Sequence, residues 1–380
     1  MGPLSGIKVV EMAGLAPSPY CGMILADFGA NVVVVDRLER DMQAISNLMS
    51  RNPLDRGKRS VRIDLKTNDW IGIIKRMIQL SDVFVDPYRP GVMEKLGLGP
   101  DAASRLNPRL IYARLTGWGQ NGPYASMAGH DINYIALSGA LSLFRNKGEK
   151  PLPPCNILGD FAGGGMLCTM GILLALVERS RSGKGQIIDA AMLDGAANLS
   201  TLFWGLLANR LMDLEIGTNM LDSGAPYYQT YETSDQKFVA VGAIEDKFYD
   251  ELLKGLNVDP YGLPQQYDQT KWPEMKKVFT EVFKTKTRDE WVAIFDGTDA
   301  CVAPVLELDE AAEHAHNSER NVFIKLGGVL QPAPAPRLSR SPGRAERLAK
   351  PKGSETQELL RELGFSSEDI RALSRKNVVE

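Results

Sequence analysis

The amino-acid sequence predicts an α/β fold, because apolar strands and helices alternate along its first half. The strand-like segment Ile7–Met12 is followed by a helical run, Tyr20–Phe28, and by a second, β-branched strand, Asn31–Val35. Strands joined by a helix at this spacing form a parallel pair, since a parallel connection must cross over the sheet. The alternation continues from the helix Trp70–Leu80 to the strand Leu110–Leu115. We therefore expect a parallel sheet with helices on its faces.

The turn after the first strand resembles the start of a Rossmann-like, dinucleotide-binding domain, but it lacks the glycines that bind phosphate. It reads Gly-Leu-Ala-Pro-Ser-Pro from Gly14, where such domains have Gly-x-Gly-x-x-Gly. Pro17 and Pro19 have no backbone N–H with which to bind a pyrophosphate. The sequence thus predicts a Rossmann-like large domain and argues against a nicotinamide cofactor.

A change in composition near Asn209 predicts a second, smaller domain. Two strands, Tyr227–Thr233 and Lys237–Ala243, precede several helical segments, which indicates an α+β arrangement. Residues 327–353 are rich in proline and glycine, as in a connection that wraps over another domain. The predicted boundaries are a large α/β domain over 1–195, a linker over 196–229, a small α+β domain over 230–315, a linker over 316–335, and a C-terminal segment over 336–380 that returns to the large domain.

Composition argues against several classes of function. A formal net charge of −3 is not that of a general nucleic-acid-binding protein. The four cysteines form no Cys-x-x-Cys pair, which indicates small core residues in a reducing compartment and no zinc site. The N-terminus shows no signal peptide. The uncharged run Phe161–Val177 is 17 residues long, whereas a bilayer span needs about 20. We expect a buried core helix there and no membrane span.

A basic run between residues 51 and 62 has two interpretations. It contains Arg51, Arg56, Lys58, Arg59 and Arg62. In the first interpretation these side chains form a solvated charged surface, as most such runs do. In the second they form a patch that binds a polyphosphate, helped by Arg37.

His130 and Asp160 are the candidate catalytic residues. Imidazole readily exchanges protons near neutral pH, and His130 is one of three histidines in the chain. Asp160 opens the apolar run, so we expect it at a helix N-terminus, where the helix dipole favours a carboxylate. The glycines Gly163, Gly164 and Gly165 would let a ligand approach the backbone N–H groups. A histidine and a carboxylate on opposite sides of one carbon could carry out proton transfer beside a carbonyl.

Structural roles are the alternatives for both residues. A single histidine in a polar loop is commonly structural or solvated, and an aspartate that begins a helix is commonly its N-cap. The glycine triplet favours the functional interpretation, because a structural helix start does not need glycines that weaken helix propensity.

Five segments together resemble the α-methylacyl-CoA racemases of the family III (CaiB/BaiF) CoA-transferase superfamily. They read Gly-His-Asp-Ile-Asn-Tyr, Gly-Asp-Phe-Ala-Gly-Gly-Gly, Tyr-Ala-Arg-Leu-Thr-Gly-Trp-Gly-Gln, Ser-Gly-Lys-Gly-Gln and Val-Gly-Ala-Ile-Glu. The resemblance covers the chain from Leu4 to about residue 340. It implies a CoA thioester, branched by a methyl group at C2, that is epimerised without a metal or redox cofactor.

The resemblance also implies roles for individual residues. His130 and Asp160 would be the two acid/base groups, and Glu245 would support His130. Arg89 and Lys95 would be phosphate contacts. The family pattern further implies an interlocked homodimer, with each site between the large domain of one subunit and the small domain of the other. The implied CoA contacts are Arg37, Ile63, Asp64, Leu65, Lys66, Gly129, Asp131, Ile132, Asn133 and Tyr134.

Two other functions remain as alternatives. A CoA transferase of the same superfamily would use Asp160 as a nucleophile that forms an acyl anhydride, and it would not need His130 paired with Glu245. A non-catalytic acyl-CoA-binding protein would have no use for an acid/base pair. We expect an intracellular protein, cytoplasmic in a bacterium and peroxisomal or mitochondrial in a eukaryote.

Overall fold

A six-stranded parallel sheet forms the centre of the larger of two units. The computed structural model describes residues 2–38, 52–65, 67, 69–348 and 350–379. The first unit comprises residues 1–138, 155–199 and 318–380, and the second comprises 139–154 and 200–317. The strands of the sheet are β1 Lys8–Met12, β2 Asn31–Arg37, β3 Arg59–Ile63, β4 Val83–Asp86, β5 Ile111–Thr116 and β6 Ile187–Ala191.

The remaining elements follow in chain order. The strands are β7 Tyr228–Glu232, β8 Phe238–Gly242, β9 Val302–Pro304, β10 Phe323–Leu326 and β11 Val329–Pro332. The helices are α1 Pro17–Asp27, α2 Trp70–Leu80, α3 Val92–Lys95, α4 Pro100–Leu106, α5 Asp131–Leu137, a π-helix Ile157–Met166, α6 Leu167–Ser182, α7 Met192–Leu199, α8 Thr201–Ala208, α9 Asp246–Leu256, α10 Trp272–Phe283, α11 Arg288–Phe295, α12 Leu308–Ala311, α13 Ala315–Glu319, α14 Thr356–Glu362 and α15 Ser367–Arg375. Short 3₁₀ turns occur at Pro53–Asp55, Ala140–Leu143, Pro260–Gly262 and Gln269–Lys271.

The strand order of the sheet is β3-β2-β1-β4-β5-β6. Every neighbouring pair is parallel, and β4 and β5 are buried along their whole length. Strands buried on both faces need helices on both sides, which confirms the predicted Rossmann-like fold. The order reverses between β1 and β4, and the crevice at the carboxyl ends of such strands is where open α/β sheets bind ligands.

Alternating side chains of the strands supply two separate cores. Val10 and Phe84 point to one face, where α2 packs with Trp70. Val9 and Val83 point to the other face, which is covered by α1 and α6. Leu359 of α14 joins the first core, so the C-terminal segment belongs to the large unit.

Close backbone contacts hold the π-helix in the second core, and the glycine triplet makes these contacts possible. A Cβ at Gly163 would lie 2.9 Å from the backbone nitrogen of Ala196 on α7, and a Cβ at Gly165 would lie 2.7 Å from the carbonyl oxygen of Pro17 on α1. All three glycines are buried. The expectation that they open the backbone to a ligand is therefore wrong: they allow three helices to pack closely.

The helix that follows is only partly buried, in contrast to the expected core helix. The π-helix continues into α6, and residues 157–182 are by length and composition apolar enough to cross a membrane, a test that core helices also pass. Its inner face, with Cys168 and Ile172, packs on the sheet. Its outer face is exposed and apolar, and it consists of Met166, Met170, Leu173, Leu174 and Val177.

The second unit is an α+β assembly with an aromatic core. Its sheet is antiparallel, in the order β7-β8-β9. Tyr231 of β7 stacks on Phe283 of α10 with ring centroids 4.9 Å apart, and Phe283 meets Trp291 of α11 edge-on. Such aromatic contacts add to the free energy gained by burying the rings.

Several segments differ from the boundaries expected from the sequence. Residues 139–154 group with the second unit, although we expected them in the large domain. The expected linker 196–229 contains the end of α7 and all of α8, and the expected linker 316–335 contains the β10–β11 hairpin. Continuous apolar or short segments lack the periodicity that identifies elements in a sequence.

The basic run forms internal ion pairs, so neither interpretation made from the sequence is correct for Arg56, Lys58 and Arg59. The Arg56 guanidinium donates to both carboxylate oxygens of Asp27, at 2.9 and 2.6 Å, and both side chains are 3% exposed. Lys58 donates to Glu11 at 2.8 Å and is equally buried.

Arg59 is the third member of this set, and it fixes the C-terminal segment. Its guanidinium lies 3.0 Å from a carboxylate oxygen of Glu358 and 2.9 Å from one of Glu362, both on α14. The run also contains β3, which its charge pattern concealed. Arg51 lies outside the described residues.

We expect Gly195→Ala to lower the free energy of unfolding by about 1–3 kcal/mol, a common cost of overpacking. A Cβ at Gly195 would lie 1.9 Å from the carbonyl oxygen of Gly163. The matched control is Gly72→Ala in α2, where no atom lies within 4 Å of the new Cβ. The control should be neutral or stabilising by up to about 1 kcal/mol. Urea unfolding followed by circular dichroism compares them, and equal midpoints would contradict the packing argument.

We expect Arg56→Met to destabilise the protein by about 3–5 kcal/mol, because it leaves the Asp27 carboxylate buried without its counter-charge. The control is Arg105→Met, which removes an exposed arginine of α4. Chemical unfolding of the two variants measures the difference. A loss for Arg56→Met no larger than that for the control would mean that the pair contributes little.

Candidate functional site

His130 is held at the start of α5 by its backbone. Its N–H donates to the side-chain oxygen of Asn133 at 3.0 Å, and its carbonyl accepts from the Asn133 N–H at 2.8 Å. His130 has an extended backbone, φ −132°, which is typical of a residue that precedes a helix. The imidazole itself is exposed. The backbone of His130 is thus fixed by hydrogen bonds, whereas its imidazole ring is accessible to solvent.

Asp160 lies inside the first turn of the π-helix and does not begin it. The helix starts at Ile157, three residues earlier than the sequence predicted. The side-chain amide of Asn156 donates to Asp160 Oδ2 at 3.0 Å. Asn156 was not among the site residues expected from the sequence, although residues four apart in a helix share one face.

The pKa of Asp160 is raised, and burial together with three neighbouring groups accounts for the shift. Burial of the carboxyl raises its pKa most, the hydrogen bond from Asn156 lowers it, the charge of Asp131 raises it and the charge of His130 lowers it. The charge of His130 is thus one of the influences on the Asp160 carboxyl, alongside burial, Asn156 and Asp131. A carboxyl whose pKa is raised is a stronger base than an ordinary carboxylate, which suits a group that must take up a proton.

Asp131 connects the two helices that carry these residues. Its Oδ1 accepts a hydrogen bond from the backbone N–H of Asp160 at 2.7 Å. Asp131 is 5% exposed, and no described residue forms a hydrogen bond with its Oδ2. The N–H of Asp160 is therefore occupied by Asp131, which removes it from the backbone N–H groups of this helix that a ligand could approach.

Tyr134 and Gly129 form a packed unit behind His130. The Tyr134 hydroxyl donates to the Gly129 carbonyl, and Trp118 meets the Tyr134 ring edge-on at 4.7 Å. A Cβ at Gly129 would lie 2.6 Å from that ring. Burial raises the pKa of Tyr134 to about 12, with Asp160 as the next cause. The contacts between Gly129 and Tyr134 therefore hold the segment 129–134 in place, and the Tyr134 side chain does not face solvent.

The remaining residues of this segment divide by exposure. Ile132 and Asn133 are exposed, and Ile132 retains 44% of its accessible surface. The carboxylate of Asp131 points inward. If the segment contacts a ligand, the side chains of Ile132 and Asn133 and the backbone are the parts that can reach it.

The segment from Ile63 to Lys66 is tied to the C-terminus. The Ile63 side chain is fully buried, and its residue pairs with Val379. The Asp64 N–H donates to the Val378 carbonyl at 2.8 Å. The implied contact of Ile63 with CoA stays a prediction, and the burial of its side chain leaves the backbone of Ile63 as the part that could make it. Leu65 is half-buried against the core, and Lys66 lies outside the described residues.

Arg37, Arg89 and Lys95 are three exposed cations, of which Lys95 ends α3. Arg37 ends β2, and its guanidinium lies 5.3 Å from the centre of the Tyr88 ring. Arg89 follows β4 and lowers the pKa of Tyr134, so it lies on the side of the sheet where α5 begins. No ion pair joins Arg89 or Lys95 to another residue that the structure describes. These two side chains can therefore bind an anion without breaking an internal pair.

Glu245 belongs to the second unit, whereas His130 and Asp160 belong to the first. It is exposed and immediately precedes α9, where its carbonyl accepts the N–H groups of Phe248 and Tyr249, both at 2.9 Å. Burial raises the pKa of the nearby Cys301 thiol, and the charge of Glu245 raises it further. The Glu245 carboxylate is thus a solvent-facing anion at a helix start.

Comparisons with known proteins identify the family of the chain and agree with its fold. Residues 4–356 match the family model of CoA-transferase family III. A mouse protein named alpha-methylacyl-CoA racemase is 52% identical over 379 residues, with 99% of this chain and 97% of that protein covered. The human protein of the same name is 50% identical with the same coverage. A crystal structure of a CaiB/BaiF family protein from Brucella suis shares the fold, with a TM-score of 0.82, 24% identity, and coverage of 95% of this chain and 99% of that one. The chain therefore belongs to CoA-transferase family III.

Proposed function

We propose that the protein is an α-methylacyl-CoA racemase, which interconverts the 2R and 2S forms of 2-methylacyl-CoA thioesters. The observation that carries the proposal is that His130 directly precedes α5 and Asp160 lies in the first turn of the π-helix, two helices joined by the hydrogen bond from the Asp160 backbone N–H to Asp131. The names of the mouse and human relatives, at about half identity over nearly the whole chain, support the same reaction.

The proposed reaction moves one proton off C2 and another onto its opposite face. A thioester delocalises its carbonyl poorly, so removal of the C2 hydrogen gives an enolate that hydrogen-bond donors can stabilise. The enolate is planar at C2, and protonation from the other side inverts the configuration. Asp160 and His130 would alternate as base and acid, in opposite protonation states for the two directions.

The CoA part of the substrate would lie along the carboxyl edge of the sheet. We propose that Arg37, Arg89 and Lys95 contact its phosphates, since exposed cations at this edge can pair with anionic oxygens. Ile132, Asn133, Leu65 and Lys66 would contact the rest, together with the backbone of Asp64 and Gly129. No cofactor other than the CoA of the substrate is required for this chemistry.

We further propose that the enzyme is an interlocked homodimer, in which Glu245 of one subunit supports His130 of the other. The exposed apolar face of α6 supports an interface, because monomeric proteins rarely expose large contiguous apolar patches. In the second unit, α8 also exposes Leu202 and Trp204. A carboxylate beside the imidazole would fix its tautomer and favour its protonated form.

We expect His130→Ala and Asp160→Ala each to reduce epimerisation by at least about 10²-fold, the lower end of what a general acid or base contributes. CoA binding, measured by calorimetry, should change little, because neither side chain is assigned to the CoA moiety. Chiral chromatography of a 2-methylacyl-CoA measures the rate. In deuterated water the wild-type enzyme should place deuterium at C2, and substrate recovered without label would contradict the mechanism.

The CoA-transferase alternative gives a different result in one assay. Supplied with a free carboxylic acid as acceptor, a transferase would move CoA to it through an anhydride at Asp160. The racemase that we propose should form no new thioester under these conditions. Transfer at a rate comparable to epimerisation would favour the alternative.

We expect subunits carrying His130→Ala to complement subunits carrying Glu245→Gln. If each site combines His130 of one subunit with Glu245 of the other, a heterodimer has one fully mutated site and one intact site. Co-expression with two different affinity tags isolates that heterodimer. It should regain up to half of the wild-type rate, whereas each variant homodimer stays impaired. A heterodimer no more active than the homodimers would place both residues of a site in one chain.

A further inference from the structure

We propose that Asp131 is a positioning residue for the reaction: its carboxylate ties the helix of His130 to the helix of Asp160 and sets the separation of the two. This inference rests on the proposed racemase function. It assigns Asp131 a role through its side chain that differs from the CoA contact implied by the resemblance.

The first support is the geometry of the hydrogen bond. Asp131 is the residue after His130, and its Oδ1 lies 2.7 Å from the backbone nitrogen of Asp160. The bond thus joins the immediate neighbour of one proposed acid/base group to the backbone of the other. Any shift of α5 relative to the π-helix must stretch or break it.

The second support is that Gly159 leaves room for the Asp131 carboxylate. Gly159, next to Asp160, has no Cβ, and a Cβ built there would lie 2.5 Å from Asp131 Oδ1. Only glycine at 159 allows Asp131 to reach the backbone. The interaction therefore depends on two residues, and each can be tested separately.

The third support is the charge that Asp131 places beside Asp160. Among the described residues no donor reaches Oδ2, so a buried negative charge is left with a single hydrogen bond. A residue that only capped the helix would serve equally well without this charge. The charge of Asp131 raises the pKa of Asp160 and the charge of His130 lowers it.

Other titratable groups lie on the helices that pack near Asp160. Tyr134 lies on α5, and Asp160, Arg89 and Asp131 all act on its pKa. On α1, Tyr20 meets the ring of Phe161 edge-on at 5.1 Å. On α7, burial and Asp189 raise the pKa of Asp194. Asp131 is thus the only one of these carboxylates that acts directly on Asp160.

The test compares four variants in the full-length enzyme. Asp131→Ala and Gly159→Ala should each lower kcat for racemisation by roughly 10- to 100-fold, a loss expected for small misplacements of reacting groups. KM should change less than kcat, because the Asp131 carboxylate points inward and the proposed CoA contacts of this segment are made by Ile132, Asn133 and the backbone of Gly129. The double variant should be no worse than Asp131→Ala alone, since removal of the carboxylate makes room for the new methyl group.

Asp131→Asn separates position from charge. The asparagine oxygen can accept from the Asp160 N–H, so kcat at the optimum should remain within a few-fold of wild type. Without the negative charge the pKa of Asp160 falls. Where Asp160 is the base, the acidic limb of the kcat/KM profile should move to lower pH; in the opposite direction, where it must be protonated, the alkaline limb should move to lower pH.

The control is Asp101→Ala, which removes an exposed aspartate from the first turn of α4, a helix of the same length as α5. It should alter neither kcat nor the pH profile. Unchanged limbs in Asp131→Asn, or additive losses in the double variant, would overturn the proposal.

Hydrogen exchange distinguishes failure of this inference from failure of the proposed function. In the absence of substrate, the peptide containing Asp160 should exchange faster in Asp131→Ala than in wild type, and at the wild-type rate in Asp131→Asn. If the wild-type enzyme racemises no 2-methylacyl-CoA while this exchange pattern holds, the function fails but the tie between the helices stands. Equal exchange in wild type and Asp131→Ala would overturn the tie.

Discussion

The site depends on a direct backbone contact between the π-helix and α7, with no side chain between the two helices. Gly163 of the π-helix and Gly195 of α7 approach so closely that neither position has space for a Cβ. This contact seats the π-helix against α7, while Gly165 seats it against α1. The start of the same helix then reaches α5, where the Asp160 backbone meets Asp131. The close packing of the π-helix against α7 and α1 therefore fixes the position of the half-buried Asp160 carboxylate.

The strand and helix alternation was predictable because it is local. Runs such as Asn31–Arg37 contain consecutive β-branched residues, and a strand buried on both faces needs no other signal. The strand order could not be obtained in this way, since it depends on which connections pass on which face of the sheet. The hairpin β10–β11 was missed although its Gly327-Gly328 turn is a recognised hairpin signal, because its strands have only four residues each.

The basic run shows where local reading fails. Its charges are neutralised by partners that are distant in sequence: Asp27 lies 29 residues before Arg56, and Glu362 lies 303 residues after Arg59. The sequence of residues 51–62 alone does not distinguish a cation that is buried in an ion pair from a cation that is available to bind a phosphate. The same limit applies to Ile63 and Tyr134, since resemblance identifies a segment but not which of its atoms face outward.

Burial of the Asp131 carboxylate lowers the stability of the folded protein, and its position beside Asp160 points to a functional reason for retaining it. A buried anion with one hydrogen bond is less stable than a neutral residue that satisfies the same donor. An asparagine could accept from the Asp160 N–H without that penalty. In the proposed mechanism the negative charge has a use that asparagine lacks, because it raises the pKa of Asp160 in addition to the effect of burial. A carboxylate with a raised pKa is a stronger base, which suits a group that must take up a proton and return it. Proteins retain locally unfavourable charges where function requires them, and the free energy lost at Asp131 is of this kind if Asp160 exchanges protons in both directions.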